Sequence, residues 1–378
     1  MKTLTALATL AALGLAGAAS AEIRIGATVS ETGPAAFLGD PEAKTLKMMV
    51  EKLNAAGGIN GEEIALTLYD DGGDPNKART FATRLVEDDE VVAIIGGTTT
   101  GATMSIIPVA EDAEIPFISL AGAIEIIDPV KEWVFKTPHT DRMACQKIFE
   151  DMKARGVTKI GLISGTDGFG ASMRKQCLEV VGDYGIEIVA DESYGPTDAD
   201  MTPQLTNIKN TTGIVAVLNP GFGQGPSVVT RNYQQLAVGL PLYQSHGVAS
   251  KGFIDLAGAS AAEGVRLPGT ALLIGDLLAD DDPQKPMVKA YLDEYQAAYG
   301  EAPSTFGGYA HDAFAILVDS ITRAGSADPK AIRDAIEQTS GLAGTTGVVT
   351  MTPEDHLGFD LSAFRMLEIK DGTWTLVQ

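Results

Sequence analysis

Short apolar runs rich in β-branched residues recur along the chain, and most are closed by a glycine-rich turn and followed by a stretch whose apolar positions return every three to four residues. Runs of four to eight such residues read as strands buried on both faces, and the longer period reads as helices facing a core. Strands are expected at residues 23–29, 63–69, 91–95, 116–119, 159–164, 186–190, 214–218 and 270–274. In the first helix Leu46, Met49, Val50 and Leu53 share a face, and Gly57-Gly58 ends the pattern. Asp74-Pro75 and Asp328-Pro329 each set a capping carboxylate before a proline at the first helical position, where its missing N–H costs nothing. Strand–helix alternation of this kind implies an α/β fold with parallel sheets covered on both faces. Ligands in such folds sit beyond the carboxyl ends of the strands, so candidate residues are sought in the turns just after them.

The 378 residues suggest about two domains, each large enough for its own core, with room for a cleft between them. A net charge of −22 with no concentrated basic patch argues against a nucleic-acid partner. Lys2, an apolar run from Leu4 to Ala18 and the small-residue site Ala19-Ser20-Ala21 form a secretory signal at residues 1–21. The run is too short and too rich in glycine to favour a membrane span. No later segment has 18 consecutive uncharged apolar residues, so the mature chain is expected to be soluble in the periplasm. Export changes the reading of the two cysteines. Cys145 and Cys177 are too few and too far apart for a zinc site, and an oxidising compartment allows them to pair, with two buried free thiols as the alternative.

Two turns carry candidate chemistry. Gly96-Gly97-Thr98-Thr99-Thr100-Gly101 lies between an expected strand and a helical stretch, and small residues, hydroxyls and free N–H groups at a helix start favour an anion. A carboxylate suits it; a phosphate loop would need a lysine that the turn lacks. Gly221-Phe222-Gly223-Gln224-Gly225 has the wrong spacing for a dinucleotide fingerprint and reads instead as a turn presenting Phe222. His139, His246, His311 and His356 are scattered without metal-ligand spacing, and no Gly-x-Ser-x-Gly elbow occurs, so neither metal, cofactor nor enzymatic chemistry is proposed by the sequence. The pairs Asp70-Asp71 and Asp88-Asp89 are expected to face solvent.

The chain resembles the branched-chain amino acid binding proteins of ABC importers. The resemblance begins at Ile23-Arg24-Ile25-Gly26 and Ser30-Glu31-Thr32-Gly33-Pro34. It continues through Ala55-Ala56-Gly57-Gly58-Ile59-Asn60-Gly61, Tyr69-Asp70-Asp71, Ile94-Ile95-Gly96, Ile115-Pro116-Phe117-Ile118-Ser119 and Tyr309-Ala310-His311-Asp312-Ala313 to Gly358-Phe359-Asp360. It implies a type I periplasmic binding fold of two doubly wound parallel-sheet lobes. The first lobe would take residues 22–138 and 275–355, the second 139–274 and 356–378, and both would close on a ligand and then dock on permease subunits. By the same resemblance Thr100, beside Thr99, holds a ligand carboxylate; Phe169, Phe222 and Phe306 form an apolar box, or are simply core; and the loop Ser119-Leu120-Ala121-Gly122-Ala123, with Ser119, Ala121 and Ala123 as its candidates, lines the site.

Two departures from that family matter. The loop at 119–123 lacks the threonine that helps hold an α-ammonium, and Ser245-His246-Gly247-Val248 puts histidine where a glutamate neutralises it. Each lost charge-assisted hydrogen bond is worth about 1.5–3 kcal/mol, so an α-amino acid is disfavoured. His246 would donate to an oxygen instead, and Arg142 and His139 would add positive character, unless they are surface residues at a helix entry. The resulting expectation is a monomeric periplasmic binding component of an ABC importer for a small aromatic, keto or branched carboxylate. A branched-chain amino acid binder and a ligand-sensing subunit of a receptor are the alternatives.

Overall fold

A computed structural model describes residues 22–377, and the expected export signal lies outside them. Strands β1 (Ile23–Val29), β2 (Ile64–Asp70), β3 (Ala93–Gly96), β4 (Phe117–Ser119) and β5 (Val134–Lys136) form a parallel sheet in the order β2-β1-β3-β4-β5. Six of the seven residues of β1 are buried, because helices cover both faces and the alternation of a one-sided strand has no cause to arise. Helices Ala36–Ala55 and Thr305–Ala324 pack on each other over one face, and Pro75–Glu87 with Thr100–Ala113 cover the other.

The second sheet contains β6 (Lys159–Gly165), β7 (Glu187–Tyr194), β8 (Ala216–Asn219), β9 (Leu242–Gln244) and β10 (Arg266–Gly269). Beyond a two-stranded ribbon of β11 (Leu342–Ala343) and β12 (Val348–Val349), it gains β13 (Arg365–Lys370) and β14 (Thr373–Leu376), giving the order β14-β13-β10-β9-β8-β6-β7. Antiparallel β13 pairs with both β10 and β14, so this sheet has a mixed edge. The turn joining β13 to β14 is Asp371-Gly372, both at positive φ, as a tight two-residue hairpin turn requires. The chain passes between the sheets after β5, after β10 and before β13.

Three expectations change. The strand expected at 270–274 lies instead at Arg266–Gly269, and Ala271–Leu277 forms a 3₁₀ segment broken at Ile274. A five-residue apolar run has no period that separates strand from buried turn, and here it carries the chain out of the sheet. Strands β5 and β9, three residues each, were too short to leave a pattern. Asp71 does not face solvent: it is fully buried and accepts from Ser30 Oγ (2.7 Å), Thr28 Oγ1 (3.1 Å) and Gly73 N (2.8 Å), because β2 delivers it beneath the ends of β1 and β3. Cys145 and Cys177 do pair. Their helices, Asp141–Ala154 and Gly168–Val180, lie side by side on one face of the second sheet, with Cα atoms 5.2 Å apart.

Candidate ligand-binding cleft

The carboxyl ends of the two sheets face each other, and the segments leaving them line one cavity of about 390 Å³, counting its mouth. Thr98, Thr99 and Thr100 follow β3, Leu120 to Gly122 follow β4, and Pro138 follows β5. From the other sheet come Phe169 after β6, Phe222 after β8, and His246 with Gly247 after β9; helical residues Leu38, Phe306 and Tyr309 complete the wall. This is the location that the strand–turn rule assigns.

The threonine turn is shaped by its glycines. Gly96 and Gly97 have φ of +148° and +66°, and a Cβ on Gly97 would lie 2.4 Å from Thr103 Oγ1. The chain can then turn directly into the helix Thr100–Ala113. Thr99 caps that helix by accepting from Ala102 N at 3.2 Å, which leaves the Thr100 and Gly101 N–H groups among those no helical carbonyl can reach. Thr100 Oγ1 is buried on the wall and has no partner among the described residues. The helix Gly168–Val180 begins opposite, but its first N–H groups are taken: Asp167 accepts from Phe169 and Gly170 at 2.9 and 3.0 Å. The open helix terminus therefore belongs to Thr100.

Behind the wall, Thr98 Oγ1 is bonded to the carboxyl of Glu42 at 2.5 Å and accepts from Ser30 N at 2.9 Å. Burial raises the Glu42 pKa well above its ordinary value, against the opposing pull of the Thr98 bond, and so favours the protonated form. The lining itself includes no aspartate, glutamate, lysine or arginine among the described residues.

Phe169 meets Phe222 edge-on at 6.1 Å between centroids and His246 at 5.4 Å. Phe37, which the sequence reading did not single out, joins Phe222 to Phe306 at 6.4 and 5.8 Å. The lobes touch: a Cβ on Gly122 would lie 2.7 Å from the Phe169 ring and 3.1 Å from His246 Nε2, so only glycine fits there. His246 is 3% exposed, and its pKa falls to about 3, chiefly by burial and then by the nearby Lys136 ammonium, with the His139 backbone pulling the other way. The imidazole is neutral at physiological pH. Lys136, itself lowered to about 7 by burial, donates to the carbonyls of Gly122 (3.0 Å) and Ala123 (3.3 Å), propping the loop from behind.

Of the residues expected at the site, Thr99, Thr100, Ala121, Phe169, Phe222, His246 and Phe306 share this cavity. Three do not reach it. Ser119 is buried behind the wall, bonded to Thr103 and to Ala121 N, and Ala123 is buried beyond Gly122. Arg142 points outward to Gln176 and Glu179, because its helix is turned by Asp141, which holds Ile124 N and Arg142 N. His139 is fully buried rather than a source of positive charge; burial keeps it neutral, stacked between Phe359 and Phe364. Leu38, Thr98, Leu120 and Tyr309 were not singled out, although Thr98 lies in the threonine turn, Leu120 in the loop expected to line the site and Tyr309 in a segment that carried the resemblance. Among the described residues no cluster of His, Cys, Asp and Glu is placed to hold a metal.

Comparison with known proteins agrees with this architecture. The chain is 26% identical over 357 residues to the leucine-, isoleucine-, valine-, threonine- and alanine-binding protein of Pseudomonas aeruginosa, covering 93% of this chain and 90% of that protein. It is 27% identical over 370 residues to Leu/Ile/Val-binding protein homolog 7 of Brucella suis, covering 92% and 88%. The crystal structure of an extracellular ligand-binding receptor from Rhodopseudomonas palustris HaA2 superposes with a TM-score of 0.88 at 30% identity, over 94% of this chain and 100% of that one. The family model for periplasmic binding proteins matches residues 22–373, and the chain belongs to that family.

Proposed function

We propose that the protein is the substrate-binding component of an ABC importer and captures a small organic carboxylate without an α-ammonium by closure of two lobes. The observation that carries this reading is the pairing of one open helix terminus at Thr100 with a lining free of acidic side chains. A carboxylate gains the N–H groups and positive end of that helix. Within this cavity an α-ammonium meets a neutral imidazole and no carboxylate on the lining. The flanking phenylalanines favour an aromatic or branched apolar body.

The lobes are assigned to 22–138 with 275–355 and 139–274 with 356–378, joined by the three passages between the sheets. Export by residues 1–21 to the periplasm, a monomeric state and docking on permease subunits complete the proposal. Delivery needs only two states that differ in permease affinity.

The names of the Pseudomonas and Brucella relatives favour a second reading, a binder of branched-chain amino acids. Thermal-shift screening of purified protein against amino acids, keto acids, hydroxy acids and benzoates separates the two. A ligand at 100 times its dissociation constant stabilises by about 2.7 kcal/mol. Stabilisation by plain carboxylates supports the first reading; stabilisation by leucine, isoleucine or valine alone establishes the second.

A further inference from the structure

Phe37 is not part of the cavity lining, yet its ring joins two of the phenylalanines that are. It stacks on Phe222, carried by the turn after β8 of the second sheet, and meets Phe306 edge-on, on the helix Thr305–Ala324 over the first sheet. Phe222 packs against apolar cores on both sides of the cleft. It also lines two spaces: the cavity itself and a larger outer cleft of about 2010 Å³, whose walls include Gly33 to Ala35, just ahead of the helix that bears Phe37, and Gly223. Phe222 therefore stands at the boundary between the two, and Phe37 backs it.

Glycines hold both rings in place. Gly39, two residues after Phe37, lies so close to the end of β1 that a Cβ on it would fall 2.2 Å from the Ser30 carbonyl oxygen, so the start of this helix is seated directly on that strand's end. Gly223, next to Phe222, has φ +79° and ψ −149°, a region that other residues hardly enter, and a Cβ there would lie 3.9 Å from the Phe37 ring. Leu38 lines the cavity, and a helical residue one position earlier is turned about 100° away, so Phe37 reaches the wall from its flank.

We propose that Phe37 limits the size of the ligand: by bracing Phe222 against Phe306 it closes the cavity toward the outer cleft, so the site takes a compact acid and rejects a homologue with a longer apolar body. A wall held this firmly resists overpacking, and surplus methylenes are then discriminated against. This inference deepens the carboxylate reading above and rests on it only in placing the ligand's apolar body against the phenylalanines.

The test is isothermal titration of the full mature chain with three matched pairs: 4-methyl-2-oxopentanoate and 2-oxodecanoate, benzoate and 4-butylbenzoate, leucine and 2-aminodecanoate. In the pair that binds, wild type should prefer the compact member by about tenfold or more. Phe37→Ala should bring the two affinities to within about threefold of each other by opening room beside Phe222, while Phe37→Leu, which keeps most of the volume, should retain the wild-type preference. A merely structural role would lower the melting temperature or weaken both members alike without moving their ratio. An unchanged ratio in folded Phe37→Ala protein therefore overturns this inference and leaves the carboxylate reading standing, as does equal binding of both members by wild type. If Phe37→Ala does not fold, Phe37→Val takes its place: a smaller shift in the same direction supports the inference, and no shift overturns it. Tightest binding of leucine among the compact members overturns the carboxylate reading, and the ratio within the amino acid pair then decides the size limit by itself. Binding of none of the six compounds overturns both.

Discussion

His139 and Phe364 stack with ring centroids 4.0 Å apart, joining the passage after β5 to the passage before β13. Phe359 covers the other side of the imidazole at 5.0 Å, and neither ring nitrogen has a partner among the described residues. Two of the three connections between the lobes are thus held together by an aromatic sandwich whose central ring is polar and neutral.

That arrangement makes stability fall in acid. His139 and His246 are lowered from their ordinary value of 6.5, so the unfolded chain takes up protons that the native state refuses. Their contribution is fully present above about pH 6.5 and is lost as pH drops below it. His139→Phe removes one of these groups and an unsatisfied buried N–H, which costs about 1–3 kcal/mol. Thermal melts should show the variant more stable than wild type, with the gap larger at pH 5 than at pH 8.

Glu42 acts in the opposite sense. Its pKa is raised by burial above the ordinary 4.5, so above that pH the native state retains a proton that the unfolded chain has released, and stability is lost as pH rises. Glu42→Gln keeps an oxygen for the Thr98 bond and cannot ionise. Its melting temperature should exceed that of wild type at pH 7.5, and the difference should vanish near pH 4.

Thr100→Ala should weaken binding of every carboxylate that the protein takes, by roughly ten- to a hundredfold for loss of one charge-assisted hydrogen bond. Arg142→Ala should leave affinity unchanged, since Arg142 is engaged with Gln176 and Glu179 outside the cavity. Titration calorimetry on both variants with one carboxylate measures the contrast.

The Cys145–Cys177 bond spans 32 residues, and closing a loop of that length is worth roughly 3–4 kcal/mol in the chain-entropy model. Replacing both cysteines by alanine should lower the denaturation midpoint accordingly. Unreduced, denatured protein should show no thiols reactive toward a labelling reagent.

Intact-mass measurement of protein released by osmotic shock should give a chain beginning at Glu22. A dominant species retaining residues 1–21 contradicts the export reading of Ala19-Ser20-Ala21.

The amino-acid sequence by itself determined the layered α/β architecture, because buried parallel strands such as β1 are near-continuous apolar runs and their turns carry glycine. It also located the threonine turn after β3, since the requirement for small residues and a free helix start is local. Tertiary structure decided whatever depends on partners distant in the chain. Asp71 is buried because Thr28 and Ser30 reach it from another strand, and Arg142 is outside the cleft because Gln176 and Glu179 draw it away. The raised pKa of Glu42 and the lowered pKa of His246 follow chiefly from burial, which the spacing of residues along the chain does not encode. Desolvation and hydrogen-bond geometry are properties of assembled surroundings, so the position of the site was legible one segment at a time, and its polarity only after the two lobes were brought together.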